Sequence, residues 1–129
     1  MSLSLVVRVP SGFGVDVAFY PLESLEIGFQ VTSWLFVSEA SAYVRYVAFF
    51  GGQNGFNVGL RADAINSLLE SDDDAPPGHA LLSVEAGYEH RAGASFFGVE
   101  IGTATWFDGN WFPHDPPVLM GELRLGHLW

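Results

Sequence analysis

The segment from residue 106 to residue 112, Trp-Phe-Asp-Gly-Asn-Trp-Phe, concentrates the side chains best suited to bind a ligand. Aromatic faces beside carboxylate and amide groups suit sugar rings, whose CH groups stack on the ring while their hydroxyl groups bond to the polar side chains. The same residue types suit a protein interface, where tryptophan anchors dominate the binding energy. A third interpretation is a tight turn whose aromatic side chains enter the core. The candidate binding residues in this segment are Trp106, Asp108, Asn110, Trp111 and Phe112.

An acidic run, Asp72, Asp73 and Asp74, forms a second candidate binding segment. Calcium prefers several oxygen ligands, so three consecutive carboxylates are a candidate calcium site. The run lacks the alternating spacing and the distal glutamate of an EF-hand loop, and it precedes Ala-Pro-Pro-Gly, where a solvated loop is the ordinary outcome. We therefore predict no metal site here and keep the run as a candidate contact for a basic protein surface.

Catalytic chemistry finds little support in the sequence. The four histidines are not spaced as metal ligands, no serine nucleophile motif is present, and the absence of cysteine excludes disulfides and thiolate chemistry. Glu85 and Glu100 share the polar side of a predicted hairpin that turns at Gly93, which would place them nearly opposite as a candidate acid and base. Alternatively they are solubilising charges on a wet sheet face, matched by Arg8 or Arg124. We predict no catalytic residue and no cofactor, and an enzyme stays a minor alternative.

The charge of the chain bears on its partners. Fifteen acidic residues against five arginines give a formal net charge of -10, although 49% of the residues are hydrophobic. Such a charge repels nucleic acid and anionic membranes and attracts cationic protein surfaces. The predicted partners are therefore a protein with a basic surface or further copies of this chain, with carbohydrate as the alternative, and neither nucleic acid nor a membrane.

Alternation of apolar and polar residues, the period of a β-strand, runs through almost the whole sequence. About eight strands with short connections predict a single all-β domain over residues 1–129, an antiparallel β-sandwich or a partly closed barrel. In antiparallel sheets with one wet face, the apolar side faces the core. We therefore predict that Leu82, Val84 and Ala86 line the core and that Glu85 faces water.

Two places depart from this alternation. The apolar parity slips by one residue at Trp34, which predicts a β-bulge or a corner within a long strand. Farther along the chain, Asp63 is predicted to cap one short helix, whose buried stripe would be Ile65, Leu68 and Leu69.

The pattern Leu123, Leu125, His127, Trp129, at every second position and finishing on an aromatic residue, is similar to the last strand of outer-membrane barrels. Such barrels need strands of about 9–11 residues, and the predicted strands Val15–Tyr20 and Phe56–Leu60 are shorter. No signal peptide is recognised, and no stretch approaches the roughly 20 apolar residues of a membrane-spanning helix. From the sequence alone, these observations exclude a membrane barrel. They predict a cytoplasmic protein, or part of a particle assembled in the cytoplasm.

The function that these observations favour is that of a non-catalytic acidic β-domain, acting as a structural component of a virion or particle or as the neutralising partner of a basic protein. The alternative is a lectin-like domain that binds carbohydrate or a small molecule. Salt distinguishes them, because a partner held by charge is lost at high ionic strength whereas sugar binding tolerates it.

Overall fold

Eight antiparallel strands follow one another around a closed barrel in a computed structural model that describes residues 1–9, 11–35, 37–67, 79–107 and 117–129. The strands are β1 (Ser2–Val9), β2 (Gly12–Leu22), β3 (Leu25–Trp34), β4 (Val37–Phe50), β5 (Asn54–Ser67), β6 (His79–Ala92), β7 (Ser95–Phe107) and β8 (Val118–Leu128). The all-β antiparallel prediction is confirmed, with the difference that the sheet closes completely. The described ranges contain no helix, and hence none that could cross a membrane.

Closure is made by the first and last strands. β1 pairs with β8 from Ser2 opposite Leu128 to Val9 opposite Gly121. Every strand therefore has two hydrogen-bonded neighbours, and the barrel has no open edge that exposes unpaired backbone groups. We call the end of the barrel at Met1 and Trp129 the terminal end, and the end at Val9 and Val118 the connection end.

The strands are longer than the sequence pattern predicts. β2 has 11 residues and β5 has 14, where we expected only Val15–Tyr20 and Phe56–Leu60 to be extended. Glycine and charged residues such as Gly14 and Arg61 continue these strands, because their side of the strand faces the barrel interior. The strand-length argument against a membrane barrel is therefore wrong.

The predicted short helix does not form within the described residues. β5 extends to Ser67, so Asp63 and Ile65 are strand residues, and Asp63 points into the barrel. The remaining two predicted helix residues, Leu68 and Leu69, lie outside the described residues. A spacing of three and four residues in so short a segment was insufficient to distinguish a helix from the continuation of a strand.

The slip of parity at Trp34 marks a turn between strands. β3 ends at Trp34, Leu35 has a left-handed backbone conformation with φ of 49°, and β4 begins at Val37. The prediction of a bulge or corner at this place is wrong. The register irregularity occurs instead near the end of β2, between Phe19 and Leu22.

The two faces of the barrel wall have the opposite polarity to the one we predicted. Val84 is 55% exposed and its neighbour Glu85 only 3%, and Leu82 and Ala86 also face outward. Alternation distinguishes the two faces of a strand but does not say which of them meets the surroundings. Leu82, Val84 and Ala86 therefore form part of the outer wall of the barrel and not of its core.

Glycines on the inner face make room for the largest interior side chains. The ring of Tyr43 lies over Gly28, where an added Cβ would be 2.3 Å from the ring carbon Cζ of Tyr43. The ring of Phe96 lies over Gly126 in the same way, with its nearest carbons 2.4 Å from such a Cβ. An inner apolar cluster of Leu81, Ala104 and Met120 forms part of the interior. Apart from these rings, this cluster and a few other buried apolar residues, the side chains of the interior are polar or charged.

Candidate functional site

The loop residues predicted to bind a partner lie almost entirely outside the described residues. Trp106 is the exception, and its backbone pairs with Leu81 near the end of β7. The others, Asp108, Asn110, Trp111, Phe112, Asp72, Asp73 and Asp74, belong to the connections that follow β7 and β5. Both strands finish at the connection end, so the two candidate segments depart from the same end of the barrel. Their binding role stays a prediction.

The charged residues inside the barrel form the site that the sequence reasoning missed. Twelve of them are at most 4% exposed, and these are Arg8, Asp16, Glu26, Glu39, Arg45, Arg61, Asp63, Glu85, Glu89, Glu100, Glu122 and Arg124. Each occupies an inward position on a strand, and the sequence signal is that most stand between two apolar residues, although Glu39 follows Ser38 and Glu89 precedes His90. That signal is present in the sequence, but it equally describes the wet face of an ordinary sheet.

Arg8 and Arg61 organise the half of this network nearer the connection end. Arg8 donates through Nη1 to Oε1 of Glu85 at 2.8 Å and to Oε2 of Glu122 at 2.9 Å. Its Nε lies 3.0 Å from Oε1 of Glu39. Arg61 reaches the same two carboxylates, with Nε 3.1 Å from Glu85 and Nη2 3.0 Å from Glu122. Two arginines are therefore shared among at least three carboxylates.

Arg124 and Arg45 organise the half nearer the terminal end. Arg124 donates from Nη1 to Oε1 of Glu26 at 2.8 Å and from Nη2 to Oε1 of Glu100 at 2.9 Å. It also lies 3.3 Å from Oε2 of Glu89. Arg45 contacts Glu26 at 3.0 Å through Nη1 and pairs with Glu100 through Nη2. These two arginines and their two shared glutamates close a ring of ion pairs across the barrel.

Tyr43 connects the two halves of the network. Its hydroxyl oxygen lies 2.7 Å from Oδ1 of Asp16 and 2.8 Å from Oε1 of Glu26. The guanidinium groups of Arg45 and Arg61 lie over its ring, 4.5 and 5.0 Å from the centroid. A cation on an aromatic face is attracted by the ring quadrupole, so this one side chain stabilises charges of both signs.

Glu85 and Glu100 both point inward, and each is held by arginines. The pairing of β6 with β7 sets Glu85 opposite Gly102 and Gly87 opposite Glu100, so the two glutamates are offset by two residues. Arg8 contacts Glu85 at 2.8 Å, and Arg124 contacts Glu100 at 2.9 Å. The prediction that Glu85 faces water is wrong. Because both carboxylates are buried and paired with guanidinium groups, they do not form an open acid–base pair.

The outer wall of the barrel is apolar. Of the fourteen charged side chains in the described residues, thirteen point into the barrel, and the exposed one is Glu23 in the turn between β2 and β3. The exposed aromatic residues toward the terminal end are Phe19, Tyr46, Phe50, Phe56, Phe97 and Trp129, and the half-buried Tyr88 lies beside Phe56. At the connection end, the rings of Phe13 and Trp34 lie 5.6 Å apart. The described outer wall is therefore an apolar band with aromatic residues toward both of its ends.

Comparison with known proteins supports the fold. No protein-family model and no curated protein matches this chain. Its fold is similar to the crystal structure of the N-terminal β-barrel domain of Pseudomonas aeruginosa OprF, with a TM-score of 0.71 and 12% sequence identity. The match covers 98% of this chain and 94% of that domain, and at this identity it shows the fold alone.

The similarity and the outer wall overturn three expectations: a particle component or neutralising partner of a basic protein, the absence of membrane contact, and a cytoplasmic location. The error came from treating the net charge of -10 as a surface charge. Eight of the fifteen carboxylates lie inside the barrel, and six others belong to the connections 68–78 and 108–117. The wall itself carries almost no charge, so electrostatic repulsion does not keep it from lipid.

Proposed function

We propose that this chain is a membrane-spanning β-barrel with a lumen filled by ion pairs. The observation that carries the proposal is the inward position of thirteen of the fourteen described charged side chains, beneath an apolar outer wall. An arginine or lysine on the lipid face of such a barrel costs about 2–4 kcal/mol at the middle of the bilayer. A closed sheet also satisfies its backbone hydrogen bonds internally, as the hydrocarbon region requires.

The length of the strands fits a bilayer. Seven of the eight strands have 10 to 14 residues. At about 3.3 Å per residue they extend roughly 33–46 Å, and a tilt of about 40° reduces this to roughly 25–35 Å across the membrane. That height matches an apolar band of about 25 Å together with the interfaces on either side.

The aromatic residues lie where membrane interfaces would be. The rings of Phe50 and Phe56 are 5.1 Å apart, and Phe56 meets Tyr88 at 6.1 Å, in one patch near the terminal end. Tyrosine and tryptophan favour the level of the lipid headgroups, because one side of the ring is apolar and the polar group reaches water. This patch and the pair of Phe13 with Trp34 support an orientation with the barrel axis across the bilayer.

The lumen supports a closed barrel and not a wide pore. Eight strands enclose a space that side chains can fill, whereas porins with an aqueous channel have 16 to 18. Here Arg124, Arg45 and their glutamates occupy that space. We infer that the barrel anchors the chain in a membrane and presents the connections 68–78 and 108–117 at one of its surfaces.

Single cysteines test this proposal directly, because the chain has no native cysteine. Val84→Cys places a label on the outer wall, and the matched control Glu23→Cys places one in an exposed turn. Each purified variant is labelled with an environment-sensitive fluorophore and inserted into lipid vesicles. We expect a blue-shifted label at position 84 that brominated lipids quench, and a label at position 23 that aqueous iodide quenches.

The opposite result would overturn the proposal. A chain that folds as a soluble monomer without lipid or detergent, with iodide quenching equal at positions 84 and 23, has no membrane-spanning wall. Proper folding of both variants is checked by far-ultraviolet circular dichroism, so that a misfolded sample is not counted as either outcome.

A further inference from the structure

The lumen holds more negative than positive charge. Eight carboxylates are buried in it, and all five arginines of the chain point into it. The fifth, Arg91, lies near the terminal end with its side chain 22% exposed, and its Nε is 2.6 Å from Oε1 of Glu89. Pairing every arginine with one carboxylate therefore leaves three carboxylates without a full counter-charge.

Most of this excess belongs to the connection half. Four carboxylates there share Arg8 and Arg61, and these are Glu39, Asp63, Glu85 and Glu122. Arg45 and Arg124 reach Glu85 and Glu122 only through longer contacts of 4.0 and 3.7 Å. The terminal half has four carboxylates, Asp16, Glu26, Glu89 and Glu100, and three arginines, Arg45, Arg91 and Arg124. Two of the three excess negative charges therefore lie toward the connection end.

Asp63 is the carboxylate with the weakest compensation. Its side chain is completely buried, and neither carboxylate oxygen has a hydrogen-bond partner among the described side chains. The nearest described cation is Nη2 of Arg8, 3.5 Å from Oδ2. Arg8 divides its charge further, because it also contacts Glu39, Glu85 and Glu122.

Glu39, beside this group, is comparatively well satisfied. Its Oε1 accepts a hydrogen bond from Ser41 at 3.1 Å, and its Oε2 accepts one from Ser11. Arg8 contacts the same carboxylate. The unmet negative charge in this region is therefore concentrated on Asp63.

We propose that the lumen takes up small monovalent cations such as K⁺, and that Asp63 holds the cation near the connection end. This inference rests on the proposed membrane-spanning barrel, since hydrocarbon around the wall supplies no counter-charge to the lumen. A buried carboxylate without a counter-charge is costly, and a cation lowers that cost directly. Rings of acidic side chains favour cations over anions in channels for the same electrostatic reason.

The experiment measures whether a small cation stabilises the folded barrel. A ligand that binds only the folded state shifts unfolding in proportion to its occupancy. The vesicle-inserted protein is unfolded with urea at equal ionic strength in KCl and in N-methyl-D-glucamine chloride, whose bulky cation does not fit the filled lumen. We expect the unfolding equilibrium constant to be at least fivefold smaller in KCl. Potassium gluconate in place of KCl should give the same value, because the effect belongs to the cation.

Two variants assign the effect to Asp63. Asp63→Asn keeps the shape of the side chain and removes its charge, and we expect it to abolish the difference between the two cations. The matched control Glu23→Gln removes an exposed carboxylate outside the lumen and should retain the full difference. Circular dichroism and the quenching of a label at position 84 confirm that each variant is folded and inserted.

Several outcomes overturn the inference and leave the membrane barrel in place. Equal stability in both chlorides, a difference that Asp63→Asn retains, or a difference that Glu23→Gln loses would each show that Asp63 holds no cation. A proton on Asp63 in place of K⁺ would produce the first of these results. Failure of the label at position 84 to reach lipid would instead overturn the membrane proposal and this inference together.

Discussion

Replacing Arg124 with methionine is the sharpest test of the interior network. Arg124 is completely buried and lies within 3.3 Å of Glu26, Glu89 and Glu100. Methionine has a comparable length but no charge, so the substitution removes these three contacts at once, together with the longer contacts of 3.7 Å to Asp16 and Glu122. Glu26 and Glu100 keep only Arg45, and Glu89 keeps only Arg91, among the described arginines. Removing one partner of a buried ion pair costs about 3–5 kcal/mol, and we expect a loss of that size.

Arg91→Met is the matched control for this substitution. Arg91 also pairs with Glu89, but its side chain is 22% exposed and it has this one carboxylate partner among the described residues. Water screens such a pair, so its removal is expected to cost about 1 kcal/mol. The comparison holds the chemical change constant and varies the depth of burial together with the number of carboxylate partners.

Equilibrium unfolding in urea, with both proteins inserted in the same vesicles, measures the difference. Tryptophan fluorescence and circular dichroism should report the same midpoint if the transition is two-state. If Arg124→Met destabilises the barrel no more than Arg91→Met does, the interior ion pairs contribute little to stability and our reasoning about the lumen is refuted.

Three further substitutions test the barrel wall by the same unfolding measurement. Gly28→Ala should cost about 1–3 kcal/mol, because its Cβ would lie 2.3 Å from the ring of Tyr43. The control Gly121→Ala should be close to neutral, because no atom lies nearer than 4.0 Å to its Cβ. Equal losses of stability in the two variants would contradict this reasoning. Val84→Asp should cost about 2 kcal/mol in vesicles, because its carboxylate would face lipid, and Val84→Ile should not; a neutral Val84→Asp would argue against the lipid-facing wall. Phe56→Ala should cost about 1 kcal/mol, because it removes the ring contacts with Phe50 and Tyr88. An unchanged unfolding midpoint would show that these contacts do not stabilise the barrel.

Part of the interior network was accessible from the sequence. Glu85 and Glu100 stood out as a pair on one side of a hairpin, and Arg8 and Arg124 were considered as their counter-charges. The structure makes those contacts, although inside the barrel. The role of Tyr43 between two arginines was not accessible, because β3, β4 and β5 meet around it only after the sheet has closed.

What the sequence determined by itself is the class of the fold: the period of two predicts strands wherever apolar residues alternate with polar ones. What only the tertiary structure decided is which face of each strand is inside. Val84 and Glu85 would alternate in the same way in a soluble sandwich, where Val84 is buried, and in this barrel, where Glu85 is. The physical reason is that alternation shows only that the two faces of a strand meet different environments. It does not show which face meets the interior and which meets the surroundings. Closure of β1 onto β8 creates an enclosed space lined by the charged face, and the apolar face becomes the surface.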